Sequence, residues 1–176
     1  MSLKTPQTSD LEIYGSKILR ENCREVSVFD DELVNFTDRL RELMYEFDGV
    51  GLAAVQVGIP LRIAAIDIPN TEKESLILVN PQIVWQCDET QTDSEGCLSI
   101  PDIRANVVRA MTINVKGFSE KGEPIFLEKV SGFLARIIQH EIDHMDGILF
   151  TDKIDPIKKT FIAGKLKKIA KEHKAK

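Results

Sequence analysis

The run SGFLARIIQHEIDHMDG, residues 131–147, sets Phe133, Leu134, Ile137 and Ile138 at helical spacing between Ser131 as a start and Gly147 as a stop. So much apolar surface in so short a run predicts a buried helix. The sequence before it is strand-like. Leu61 to Ile68, Leu76 to Val79, Ile83 to Trp85, Thr112 to Phe118 and Pro124 to Val130 are rich in β-branched and aliphatic residues, with Gly and Pro between them. Glu120, Lys121, Gly122 and Glu123 join the last two as a hairpin turn, which favours antiparallel pairing. Ahead of the strands, Leu33, Phe36, Leu40, Leu43, Met44 and Phe47 mark an amphipathic helix from Asp30 to Asp48, with Asp30 as its cap. Beyond residue 147, a third helix begins at about Pro156, with Phe161, Ile162, Leu166 and Ile169 on one side and lysines on the other. Strands that run together rather than alternating with helices give an α+β fold. We expect mostly antiparallel sheets packed around the central helix, with an N-terminal helix and a C-terminal helix.

Within the central run, His140, Glu141 and His144 form an HExxH pattern. Residues four apart on a helix lie one above the other, so both imidazoles can reach one ion while Glu141 stands beside it as general base. Phe133, Ile137, His140 and His144 share one stripe, which sets the ligands against an apolar wall. The plain alternative is a chance match, two core histidines each bonded to a backbone carbonyl. A third ligand decides between them. The extended protease pattern HExxHxxGxxH fails, because Gly147 fits but Phe150 holds the last position. A downstream Glu as third ligand leaves only Glu172, among the tail lysines. Upstream, Cys97 follows Glu95 and Gly96; a thiolate suits a borderline or soft divalent ion, and Gly96 lets backbone approach closely. The competing reading of Cys97 is a buried structural cysteine.

Composition narrows the class. A chain of 176 residues, 43% hydrophobic, can bury one core without disulfides. No repeat or linker divides it, so we expect one catalytic domain over residues 1–176. The longest apolar runs fall far short of the roughly 20 residues of a membrane span. Residues 1–10 are polar and lack the apolar core of a secretory signal, so the expected location is the cytoplasm. Cys23, Cys87 and Cys97 are an odd set with no CxxC spacing, which suggests neither a disulfide framework nor a zinc ribbon. The net charge of -5 hides an asymmetry: residues 157–176 carry eight Lys against Glu172, or +7, leaving -5 - 7 = -12 for residues 1–156. An acidic body argues against DNA as a partner, while the basic tail can meet phosphate locally.

Three segments together resemble the peptide deformylases of bacteria: GVGLAAVQ at residues 49–56, EGCLS at 95–99 and QHEIDH at 139–144. They occur in that family's order, and the resemblance spans nearly the whole chain. It implies that Cys97, His140 and His144 bind one divalent metal, typically Fe2+ and often replaced by Zn2+, Ni2+ or Co2+, and that Glu141 is the acid/base residue. It further implies that the Gln56 side-chain amide and the Leu98 backbone amide donate to a developing oxyanion. The implied substrate is an N-formylmethionyl nascent peptide, split into formate and a free N-terminus. Its methionine side chain would lie against Val50, Phe133, Ile137 and the ring of His140, and its backbone would pair near Gly51 and Gly96, with Arg104 bordering the groove. Met145 stands where the family usually has Leu, a volume-conserving change. Arg136 falls where members carry either an aliphatic residue or Arg; lining the pocket and a surface salt bridge are both open readings. The same resemblance points the basic C-terminal helix towards the ribosome.

Overall fold

A computed structural model describes residues 3–68 and 75–174. Met1, Ser2, residues 69–74 and the last two residues of the basic tail, Ala175 and Lys176, lie outside the described residues. In chain order the elements are α1 (Asp31–Glu46), β1 (Gly51–Ala53), β2 (Ile63–Asp67), β3 (Ser75–Gln86), β4 (Thr90–Cys97), β5 (Ile100–Ala110), β6 (Thr112–Phe118), β7 (Pro124–Ser131), α2 (Gly132–Met145) and α3 (Pro156–Lys174). All strand pairs are antiparallel. Five strands form one sheet in the order β1-β2-β3-β6-β7, and β4 with β5 forms a separate ribbon.

Over β1 to β3 the large sheet is covered on both faces, and strand alternation explains how. Ile63, Ala65, Ile77 and Val79 point to one side, where Leu33, Phe36, Leu40 and Leu43 of α1 close a core. Ala64, Ile66 and Leu78 point to the other, against Ala135, Ile138, Ile142 and Met145 of α2. β2 is therefore apolar on both faces, as a strand between two helical layers must be. A third core joins Ile100, Ile103 and Val107 of β5 to Phe150, Ile154 and Leu166. Helix α2 touches both the large sheet and β5, so it is the central helix the sequence predicts.

The helix ends follow the sequence signals. The Asp30 side chain accepts from the Leu33 amide at 3.0 Å. After α2, Gly147 adopts φ +69°, and the Ile148 amide bonds back to Asp143 O at 2.8 Å. A Cβ at Gly147 would stand 2.7 Å from Arg20 O, so that turn needs glycine twice over. The predicted hairpin at 120–123 closes with the Ser119 amide donating to Glu123 O at 2.8 Å.

Three expectations change. The two runs split by Pro81 form a single strand, β3, whose register shifts between Val79 and Gln82; Asn80 there has φ +52°, and such a bulge accommodates a proline that has no amide to give. The ribbon strands escape the sequence reading because their outward residues, such as Thr90, Asp93 and Arg104, are polar and exposed. Phe161 is 80% exposed rather than packed with Ile162, Leu166 and Ile169. At about 100° per residue it sits roughly a quarter-turn off their face.

Candidate metal centre

Two elements bring the candidate ligands together. Helix α2 presents His140 and His144 one turn apart, with ring centroids 4.9 Å from each other. β4 ends at Cys97, and the two-residue turn Leu98 to Ser99 folds the ribbon back so that Cys97 pairs with Ile100. Cys97 Sγ then lies 3.2 Å from His144 Nε2. One donor atom from each of Cys97, His140 and His144 falls within 4.8 Å of the others. Donors about 2.0–2.3 Å from a shared ion in tetrahedral array stand somewhat under 4 Å apart, so this set fits one divalent ion and leaves a position open. The soft thiolate disfavours Mg2+ and Ca2+.

Electrostatics favour a cation here. Burial works against charge on His140, but its hydrogen bonds to Cys97 and Glu95 win and push the pKa up to about 10. A field that holds a proton on this ring also attracts a metal ion. His144 goes the other way: burial and the neighbouring His140 charge hold it well below the ordinary histidine value, and a neutral imidazole is the ligand form.

Glu141 lines the cavity beside the candidate ligands, and among the described residues its buried Oε2 has no hydrogen-bond partner. Burial raises its pKa to about 7, although the His140 and Arg109 charges pull it back down. A carboxyl group poised there can take and return a proton near neutral pH. Gly51 explains how β1 comes so near: a Cβ at that position would lie 2.3 Å from Glu141 Oε1 and 3.0 Å from Ile137 Cγ2. Just after β1, Gln56 is held from both ends. Its Oε1 accepts from the Ala53 amide at 2.9 Å, which turns Nε2 towards Ser99 Oγ at 3.1 Å and Cys97 Sγ at 3.5 Å.

A cavity of about 530 Å³ opens over this cluster. Val50, Phe133, Ile137 and His140 form part of its wall, and Gly51, Gln56, Gly96, Cys97, Leu98, Arg104 and Glu141 also line it. His144 is buried behind Cys97. Every residue predicted from sequence for the site thus lies in or against one cavity.

Residues 9–160 match the family described as polypeptide deformylase. The chain belongs to that family. Among its relatives, the peptide deformylase of Bartonella tribocorum is 43% identical over 159 residues, covering 88% of this chain and 89% of that one. The peptide deformylase of Pelotomaculum thermopropionicum is 43% identical over 145 residues, covering 82% and 90%. The crystal structure of the Legionella pneumophila enzyme superimposes with a TM-score of 0.84 at 37% identity, covering 94% of this chain and 97% of that one. A plant peptide deformylase reaches a TM-score of 0.92 at 32% identity, covering 99% and 95%. As a polypeptide deformylase the chain is a metal-dependent hydrolase that removes N-formyl groups.

The candidate site also rests on residues to which the sequence reading gave no settled role. Glu95, buried in β4, accepts from His140 Nδ1 at 3.0 Å and fixes which ring nitrogen is left for the metal. Burial opposes its charge, but Arg109 and His140 hold the carboxyl far below the ordinary carboxylate range. Arg109 donates to both Glu95 oxygens, at 2.9 and 2.8 Å, and to Asp143. Arg136 is not on the surface: it is buried, lines the cavity, and its guanidinium bonds to Glu95. The one available signal was spacing, since Glu95 lies two residues before Cys97 and strand period two sends both side chains the same way.

Proposed function

We propose that the chain deformylates N-formylmethionyl nascent peptides as a single catalytic domain over residues 1–176, working in the cytoplasm. The observation that carries this reading is Glu141 Oε2, a buried acceptor with no partner among the described residues, beside the Cys97, His140 and His144 donors. A divalent ion held by those three, Fe2+ in the native state, supplies Lewis-acid polarisation and a water of lowered pKa. Glu141 takes the proton of the attacking water and returns it to the departing amine, so formate leaves and the N-terminus is freed. The Gln56 Nε2 and the Leu98 amide donate to the oxyanion; the orientation of Gln56 by the Ala53 amide supports the first of these. The methionine side chain packs against Val50, Phe133, Ile137 and the His140 ring, while Gly51 and Gly96 offer backbone to the extended peptide and Arg104 borders it. Among the described residues, no helix is long and apolar enough to cross a membrane.

Turnover of formyl-Met-Ala-Ser by the metal-loaded protein tests the proposal. Glu141→Ala should lower kcat by about 10²- to 10⁴-fold while the metal stays bound. Equal activity in parent and variant, or cleavage of internal peptide bonds with the formyl group untouched, would overturn it. We further propose that α3 docks on ribosomal RNA, on the strength of the +7 carried by residues 157–176. Removing that segment should weaken ribosome co-sedimentation in a salt-dependent manner and leave small-peptide turnover intact; unchanged co-sedimentation would end the idea.

A further inference from the structure

The candidate ligands are divided between two elements that could part: the β4–β5 ribbon carries Cys97, and α2 carries His140 and His144. Two arginines bridge the division in opposite directions. Arg109 reaches from the ribbon to Asp143 on the helix. Arg136, one helical turn before His140, reaches from the helix into the ribbon. Its Nη1 donates to Glu95 Oε1 at 2.6 Å and to Val107 O at 3.0 Å, and its Nη2 donates to Gln91 O at 3.0 Å. Gln91 belongs to β4 and Val107 to β5, so one planar fork holds both strands and the carboxylate between them. Such a fork is beyond the reach of a lysine ammonium, which acts as a point charge on a flexible stem.

Those bonds complete the environment of Glu95. Its Oε1 accepts from Arg109 Nε and Arg136 Nη1, and its Oε2 accepts from Arg109 Nη2 and His140 Nδ1. An ionised carboxylate offers about four lone-pair sites, so Glu95 is saturated and has one orientation open to it. Its hold on His140 depends on that orientation. Charge points the same way: Asp143 is paired with Arg109 and Lys153 and Glu95 with Arg109 and Arg136, so loss of Arg136 leaves the buried Glu95 carboxylate to the one arginine that it shares with Asp143.

We infer that Arg136 is a positioning residue for the metal centre: by locking Glu95 and tying α2 to the ribbon, it keeps His140 aimed at the site and slows loss of the ion. This deepens the deformylase reading, but its test reads the metal rather than turnover, so it can fail while that reading stands, and the reverse. Arg136→Met keeps the length of the stem and removes the fork; Arg136→Lys keeps the charge alone. Each protein is loaded with Co2+, and three quantities are followed: release of Co2+ to an excess of chelator, the visible absorption of the bound ion, and the nitrogen chemical shifts of the His140 ring. Arg136→Met should release Co2+ about 10- to 100-fold faster than the parent, with a changed visible spectrum and a shifted His140 Nδ1 resonance. Arg136→Lys should fall between the two. Should the Met variant fail to fold, the Lys variant decides, with release at least about threefold faster expected. Release within twofold of the parent in the folded variants overturns the inference, even if their melting temperatures fall, because Arg136 would then be a structural tie alone.

Discussion

Helix α2 buries ten of its fourteen residues, five of them polar or charged, whereas α3, though longer, sets only Leu166 fully into a core among its described side chains, with Ile162 and Ile169 packed in part. The apolar residues alone do not account for the contrast. Four of the five buried polar residues of α2 find a partner on another element: Arg136 meets Glu95, Gln139 exchanges hydrogen bonds with the Ala110 backbone, Asp143 meets Arg109 and Lys153, and His144 meets Cys97. Such groups cost several kcal/mol if left alone, so they fix where the helix sits against its neighbours. Helix α3 is anchored at its start by Asp155, which accepts from the Ile157 and Lys158 amides, and by the Arg20, Asp152 and Lys159 ion pairs at the surface. One helix is built to hold chemistry in place, the other to present a charged surface.

Substitutions can break or sharpen this contrast. The largest effect is expected from Ile138→Ala, which empties a fully buried position between α2 and the sheet; urea unfolding should show a loss of about 2–5 kcal/mol. Next comes Gly51→Ala, whose added methyl must displace Glu141: kcat should fall about 100-fold while circular dichroism and metal content hold, because a misplacement of an ångström in the reacting groups suffices. Leu166→Ala should cost about 2 kcal/mol, the bottom of the range for a buried Leu, and should speed amide exchange in α3 while leaving that in α2 unchanged. The smallest effect concerns acid. The Asp152 carboxyl is held below the ordinary aspartate range; burial opposes this, but hydrogen bonds from Arg20 and the Leu149 amide prevail. A lowered folded-state pKa means that its stabilisation is complete above the unfolded value and fades as pH falls through the folded one. Exchange in α3 should therefore quicken below about pH 4 in the parent, and Asp152→Asn should lack that additional step. If α2 responded to the α3 changes as strongly as α3 itself, the two helices would form one cooperative unit and the contrast would fail.

Legibility from sequence followed the same line. The α2 ligands could be read because a helix imposes a fixed geometry on residues four apart, and Asp30 and Gly147 marked helix ends through local backbone chemistry. Phe161 was misread because a helical pattern tells which residues share a face only to within the width of that face. The ribbon was missed because strands exposed on one side carry no apolar run, and with it went the partner strand that sets Cys97 against His144. Arg136 could not be resolved between pocket and surface, since its place depends on Glu95, 41 residues away.

The sequence by itself determined that a helix sets two imidazoles four residues apart with a carboxylate beside them, and which segments form the helices. These are short-range matters of spacing and propensity. Only the tertiary structure decided that the Cys97 thiol meets the two imidazoles, that Gly51 lets β1 lie against Glu141, and that Glu95 stands saturated between Arg109, Arg136 and His140. Those arrangements arise from packing between elements distant along the chain, where the energy of burying paired charges, rather than any local pattern, selects the partner.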